Sequence, residues 1–153
     1  MKTLKIQKAG PEDSAQILAL AQSFHREDGH PLSPTGPEAI EALLQGSPLG
    51  ALYLVKDADE LVGYFALCYT MSLEFGGLIV ILDDLYLLPE VRGRGLGTAV
   101  LAEVEQEAVR LGAVQIFLEV EKANERAFAL YERHGYRQRH RRMMERGLAG
   151  GAR

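Results

Sequence analysis

The sequence predicts one mixed α/β domain, and three observations predict it. The chain has 153 residues, which suits a single core of ordinary size and is short for two. Stretches of alternating polarity are interleaved with stretches whose apolar residues recur every three or four positions. No internal repeat or interdomain linker interrupts them, so residues 1–146 read as one domain and 147–153 as a small, polar, flexible tail. The resulting order is β-α-α-β-β-β-α-β-α-β.

Each element has its own signal. Residues 3–8 alternate, with Leu4 and Ile6 on one face. Gly10-Pro11-Glu12-Asp13 opens a helix, because proline suits the first turn and acids suit the positive end of the dipole. Ile17, Leu18, Ala21 and Phe24 form its apolar stripe. Residues 25–37 are polar and carry three prolines, so they read as a loop, and 37–45 as a short second helix ended by Gly46-Ser47-Pro48. Residues 52–56 and 61–71 read as strands joined by the turn Asp57-Ala58-Asp59-Glu60. A third strand of this group runs from Leu78 to Leu88 and stops at Pro89. After a glycine-rich turn at 93–97, Leu101, Val104, Ala108 and Leu111 mark a helix that Gly112 caps. Val114, Ile116, Leu118 and Val120 share one face of a strand over 114–120. Residues 124–133 read as a helix ending at Gly135, and 136–144 as the last strand.

Composition excludes several function classes. Hydrophobic residues make up 47% and charged residues 25%, so the chain is neither disordered nor fibrous. A net charge of -4 gives no overall basic field, and the basic run from Arg137 to Arg142 lacks interleaved aromatics, so no nucleic-acid partner is expected. That run reads instead as a solvated strand face. No stretch approaches the ~18 apolar residues of a membrane span, and Met1 to Ile6 lacks the apolar core of a leader, so a cytoplasmic location is expected. A lone cysteine excludes an intrachain disulfide; Tyr64, Phe65, Leu67 and Tyr69 around Cys68 mark it as a buried core thiol.

The informative stretch is Arg92-Gly93-Arg94-Gly95-Leu96-Gly97-Thr98, between a strand and a helix. Glycines let the backbone approach a ligand, and the first N–H groups of the helix with its dipole favour an anion. Arg92 and Arg94 add charge suited to a phosphate. The dinucleotide fingerprint fails, because its third glycine position is Thr98, and no lysine follows to make a Walker loop. A phosphate or pyrophosphate cradle and a plain tight turn both stand on these residues alone.

The surroundings decide between them. Arg92-x-x-Gly95-x-Gly97 follows Leu85-Tyr86-Leu87-Leu88-Pro89 and precedes, by one helix and one strand, Asn124-x-x-Ala127-x-x-Leu130-Tyr131-x-x-x-Gly135-Tyr136. In this pattern the sequence resembles the GNAT N-acetyltransferase superfamily, specifically over 78–136 and more weakly before it. The resemblance implies a central mixed, mostly antiparallel sheet flanked by helices and splayed to admit acetyl-CoA, the acyl donor. By similarity the backbone of Arg92, Gly93, Arg94, Gly95, Leu96, Gly97 and Thr98 holds the pyrophosphate. Leu85, Tyr86 and Leu87 lie along the pantetheine, with the Leu87 N–H aimed at the thioester carbonyl. Asn124 bonds the cofactor arm or caps its helix, and Tyr131 is the general acid at the sulfur.

Asp83 and Asp84 are the candidate bases for the attacking amine. Adjacent strand residues face opposite sides, so one of them points into the acceptor cleft, and the sequence leaves open which. The stretch from Leu82 to Tyr86 resembles polyamine- and thialysine-type members, although those begin the acid pair with glutamate. Glu27, Asp28 and Glu74 are candidate acceptor-binding acids, which would favour a small cationic amine. His25 and His30 are five apart with no second ligand cluster near them in sequence, so no metal is expected and both read as solvated loop residues. The resemblance also implies a possible homodimer. The function expected is acetyl transfer to a primary amine by direct attack; a non-catalytic sensor of acetyl-CoA on the same fold is the alternative.

Overall fold

The structure is a computed structural model and describes residues 3–148. Five strands lie side by side in chain order: β1 (Leu4–Lys8), β2 (Gly50–Asp57), β3 (Glu60–Ser72), β4 (Gly77–Leu87) and β5 (Gln115–Leu118). The first four are successively antiparallel, and β5 runs parallel to β4. Helices α1 (Ser14–Glu27) and α2 (Gly36–Leu44) connect β1 to β2, α3 (Leu96–Arg110) connects β4 to β5, and α4 (Glu125–Arg133) follows. Among the described residues no helix is long and apolar enough to cross a membrane.

Each face of the sheet carries its own core. On one face Ile17, Leu20 and Ala21 of α1 and Ile40 and Leu44 of α2 pack on Leu52, Leu54, Tyr64, Ala66 and Tyr86. On the other, Val100, Leu101, Val104 and Ala108 of α3 pack on Tyr53, Val55, Phe65, Leu67, Val80 and Leu82. The two sets alternate along β3, as expected for a sheet covered on both sides.

Four sequence expectations need correction. Residues 25–27 belong to α1 and not to the following loop: His25 and Arg26 suit the negative end of the helix dipole, and the chain turns away only at Gly29, whose φ is +79°. Residues 136–144 form no strand, because the run from Arg137 to Arg142 has no apolar face to bury, and Met143 and Met144 are exposed. The basic run is accordingly not a strand face: Arg139 lies over the rings of Phe75 and Phe117, and Arg141 forks onto Glu74. Cys68 is half-buried and not in the core, and burial with the charges of Asp83 and Asp84 pushes its thiol up to about 11. Of the predicted tail, residues 149–153 lie outside the described residues.

Candidate active site

β4 and β5 pair only from Ile79↔Gln115 to Leu82↔Leu118, yet β4 continues to Leu87. The two strands therefore part at Asp83. The same residue is a bulge against β3, where Ala66 pairs with Asp84 and Leu67 with Leu82, leaving Asp83 unopposed. The extra residue reverses the side-chain phase of the strand. Val80 and Leu82 face α3 before it; Asp84 and Tyr86 face α1 after it. Beyond the bulge the Leu88 N–H donates to the Val62 carbonyl at 2.8 Å. Alternation along an antiparallel ladder then turns the N–H groups of Leu87 and Leu85 toward the gap left by β5.

The glycine turn sits at the end of this gap. Gly93 and Gly95 have φ of +77° and +80°, a region costly to any residue with a Cβ. Leu96 is buried and anchors the turn, whereas Gly93, Arg94, Gly95 and Thr98 are exposed. Gly97 allows α4 close: a Cβ there would lie 3.2 Å from Leu130. Among the described residues no acceptor takes the N–H groups of residues 93–98; the first donor after them is Ala99, to the Gly95 carbonyl at 3.3 Å. Six consecutive amides are thus available to an anion at the positive end of α3.

Arg92 is already engaged. Its Nε–H donates to the Leu87 carbonyl at 2.9 Å, its two terminal nitrogens donate to Glu27 at 2.6 and 2.9 Å, and its guanidinium lies over the Tyr86 ring. Glu27 is therefore paired with Arg92, which holds its carboxyl below the usual range. Asp28, next to it, makes no side-chain hydrogen bond among the described residues. Burial and the charge of Glu121 raise its carboxyl. Glu121 itself bonds His30 Nε2 at 2.7 Å.

Asp84 is buried, 8% exposed. The Tyr64 hydroxyl donates to its Oδ2 at 2.6 Å, and His25 Nε2 lies 2.9 Å from the same oxygen. Burial raises the Tyr64 hydroxyl, so it stays a donor. The hydrogen bond to Asp84 raises His25 above its ordinary value against the opposing effect of burial. Asp83 has an exposed side chain; partial desolvation and the adjacent Asp84 charge raise its carboxyl. His25 and Tyr64 were not singled out as site residues from sequence. The signal for His25 was its place in the row Ile17, Ala21, His25, which shares one helix face toward the sheet.

Tyr131 is half-buried on α4, its ring 5.8 Å from that of Tyr136, and burial pushes its hydroxyl up to about 12. Asn124 caps α4, its Oδ1 accepting the Ala127 N–H at 3.1 Å. Glu74 stands apart from Asp83 and Asp84. It lies on the β3–β4 hairpin, forked by Arg141 at 3.0 Å, on the rim of an open groove of about 650 Å³ that none of the glycine turn, Asp83 or Asp84 lines.

A two-faced sheet parted after its fourth strand, with a row of uncommitted amides beside the parting, is a fold of the N-acetyltransferase class. The chain belongs to the acetyltransferase (GNAT) family, whose model matches residues 16–136. It is 28% identical over 134 residues to an uncharacterized N-acetyltransferase, YhfO, of Bacillus subtilis (strain 168), covering 87% of this chain and 89% of that one. It is 36% identical over 77 residues to the thialysine N-epsilon-acetyltransferase of Mus musculus, covering 50% of this chain and 45% of the relative. An integron cassette protein from the mobile metagenome of Cole Harbour Salt Marsh superposes with a TM-score of 0.79 at 32% identity, over 94% of this chain and 90% of that one.

Proposed function

We propose that this protein transfers acetyl from acetyl-CoA to the primary amine of a small cationic acceptor by direct attack. The observation that carries the reading is the row of uncommitted N–H groups at residues 93–98, beside the gap between β4 and β5. Such a row fits a pyrophosphate. Arg94 is exposed at the turn and adds charge, whereas Arg92 serves by fixing the Leu87 carbonyl and the end of α1.

Acetyl-CoA supplies an activated acyl group as a thioester. The outward N–H groups of Leu85 and Leu87 suit an extended arm added at the strand edge, with Tyr86 turned to the opposite core. The Leu87 N–H stabilises charge developing on the acyl oxygen. Asn124, at the head of α4, would bond the same arm, and Tyr131 would donate a hydrogen bond toward the sulfur. Asp84 takes the proton of the attacking amine; Asp83 and Asp28 supply negative charge for a cationic acceptor. Glu27 acts through Arg92, and Glu74 is left out of the acceptor site because it faces the hairpin groove. With its thiol near 11, Cys68 is a poor nucleophile, which favours direct attack over an acyl-enzyme. A homodimer and a cytoplasmic location complete the reading; sedimentation equilibrium and cell fractionation test them.

The deciding experiment is thiol release from acetyl-CoA by the purified protein, across polyamines, amino acids, thialysine, aminoglycosides and lysine peptides. Turnover with a small cationic amine is the expected result. Tight acetyl-CoA binding with no turnover on any acceptor would favour a sensor instead.

A further inference from the structure

We propose that Asp28, His30 and Glu121 form a binding site for a divalent transition-metal ion of the zinc class, which ties the turn after α1 to the segment after β5. The site goes beyond acetyl transfer and stands without it.

The fold assembles a ligand set that the sequence keeps apart. Asp28 and His30 flank Gly29, and Glu121 lies 91 positions beyond His30. One ligand atom from each residue, an imidazole nitrogen and two carboxylate oxygens in all, lies within 4.8 Å of the other two. His30 Nε2 and Glu121 Oε1 are already in contact at 2.7 Å. Two donors on one zinc ion at a tetrahedral angle lie about 3.4 Å apart, from bond lengths near 2.0–2.1 Å. The His30–Glu121 pair therefore opens by about 0.7 Å to admit the ion, and Asp28 closes on it. The His30 and Glu121 side chains are 51% and 48% exposed, so both can turn and the ion has a path in.

The backbone under each ligand is held. The Asp28 N–H donates to the Phe24 carbonyl at 2.9 Å and the His30 N–H to the His25 carbonyl at 3.0 Å, with Gly29 at φ of +79° turning the chain between them. The Glu121 carbonyl accepts the Asn124 N–H at 2.9 Å.

Chemistry selects the ion. Calcium takes six or more oxygen ligands and magnesium keeps an octahedral oxygen shell, whereas one imidazole with two carboxylates and an open fourth position suits zinc. Asp28 makes no side-chain hydrogen bond among the described residues, and burial with the Glu121 charge raises its carboxyl. A cation between the two carboxylates removes that repulsion. A neutral His30 ring frees its Nε2 lone pair by exchanging hydrogen through solvent to Nδ1, and an imidazolium releases one proton. Nδ1 of His30 has no hydrogen-bond partner among the described residues. The affinity should therefore fall ~10–100-fold below that of a zinc site with a complete outer shell. Asp28 also supplies charge for the acceptor in the reading above, and a bound ion withdraws it.

The test titrates zinc chloride into the full chain by calorimetry and follows the histidine rings by NMR. One equivalent should bind, shift the His30 ring and leave those of His134 and His140 in place. His30→Gln and Glu121→Gln should each weaken binding by at least about 10-fold, and His140→Gln should not. Zinc should raise the melting temperature of the wild type and not that of His30→Gln. Millimolar magnesium should neither displace zinc nor shift the His30 ring. No saturable binding at sub-millimolar zinc, an unmoved His30 ring, or full affinity in His30→Gln would overturn the site. Circular dichroism of each variant separates a lost ligand from a lost fold. Acetyl transfer is a separate readout, in which bound zinc should raise the acceptor KM several-fold in the wild type and not in His30→Gln. A protein that binds zinc at His30 and turns over no amine would keep the site and overturn the transferase reading.

Discussion

Arg92 joins three segments at once: its terminal nitrogens grip the Glu27 carboxylate at the end of α1 at 2.6 and 2.9 Å, and its Nε–H holds the Leu87 carbonyl at the end of β4. The C-terminal end of α1 is thereby fixed to the end of β4. Glu27 and Asp28 are adjacent in sequence, yet only Glu27 is committed to this clamp.

Replacement of each acid separates the two roles. Glu27→Gln should lower stability by about 0.5–1 kcal/mol, since the pair is bidentate but partly exposed, and leave the acceptor KM nearly unchanged. Asp28→Asn should leave stability nearly unchanged and raise the acceptor KM several-fold. Thermal melts and steady-state kinetics on both variants check this, and the reverse pattern would return Glu27 to the acceptor site.

Tyr131→Phe should reduce kcat by roughly 10²-fold and spare coenzyme A affinity. The hydroxyl sits up near 12, so it remains protonated across the assay range and no basic limb below pH 10 should trace to it. Wild-type turnover in the variant would remove Tyr131 from the chemistry.

A side chain at Gly95 should be costly through its backbone conformation and not through a clash. At φ of +80° a Cβ costs about 1–2 kcal/mol, although nothing lies within 4 Å of it. Gly95→Ala should therefore lose that stability in denaturant titrations and raise the KM for acetyl-CoA, because the backbone strain falls on the amides of the turn. Gly95→Asn, which visits this conformation more readily, should recover part of both.

Asp83 should cost stability at neutral pH. Its folded carboxyl is raised, so the folded state favours the protonated form, and that favour is lost as pH rises through the folded value. Asp83→Asn should match the wild type below about pH 4 and melt higher by about 1–2 °C at pH 7. A melting temperature that falls at pH 7 would show that the ionised carboxylate is stabilised by a group it faces.

The local parts of the site were legible in the sequence. The turn from Arg92 to Thr98 is specified within seven residues by glycines that take positive φ, and the Asn124 cap by its place three residues before the amide it accepts. The acid pair was legible as a pair, but its division was not. Strict alternation put Asp83 and Asp84 on opposite sides; the bulge at Asp83, set by pairing with β3, decided which one reaches α1 and reversed the phase of everything after it. The last strand failed for a related reason: residues 136–144 supply no apolar face that could hold them to β5.

By itself, then, the sequence determined the element order as far as α4, the family and the glycine turn, all of which depend on short-range periodicity and backbone conformation. Tertiary structure alone decided the partners: His25 with Asp84 across 59 positions, Glu27 with Arg92 across 65, and Glu74 with Arg141 across 67. A side chain's partner depends on how helix and sheet faces pack, and a one-residue bulge is enough to change it.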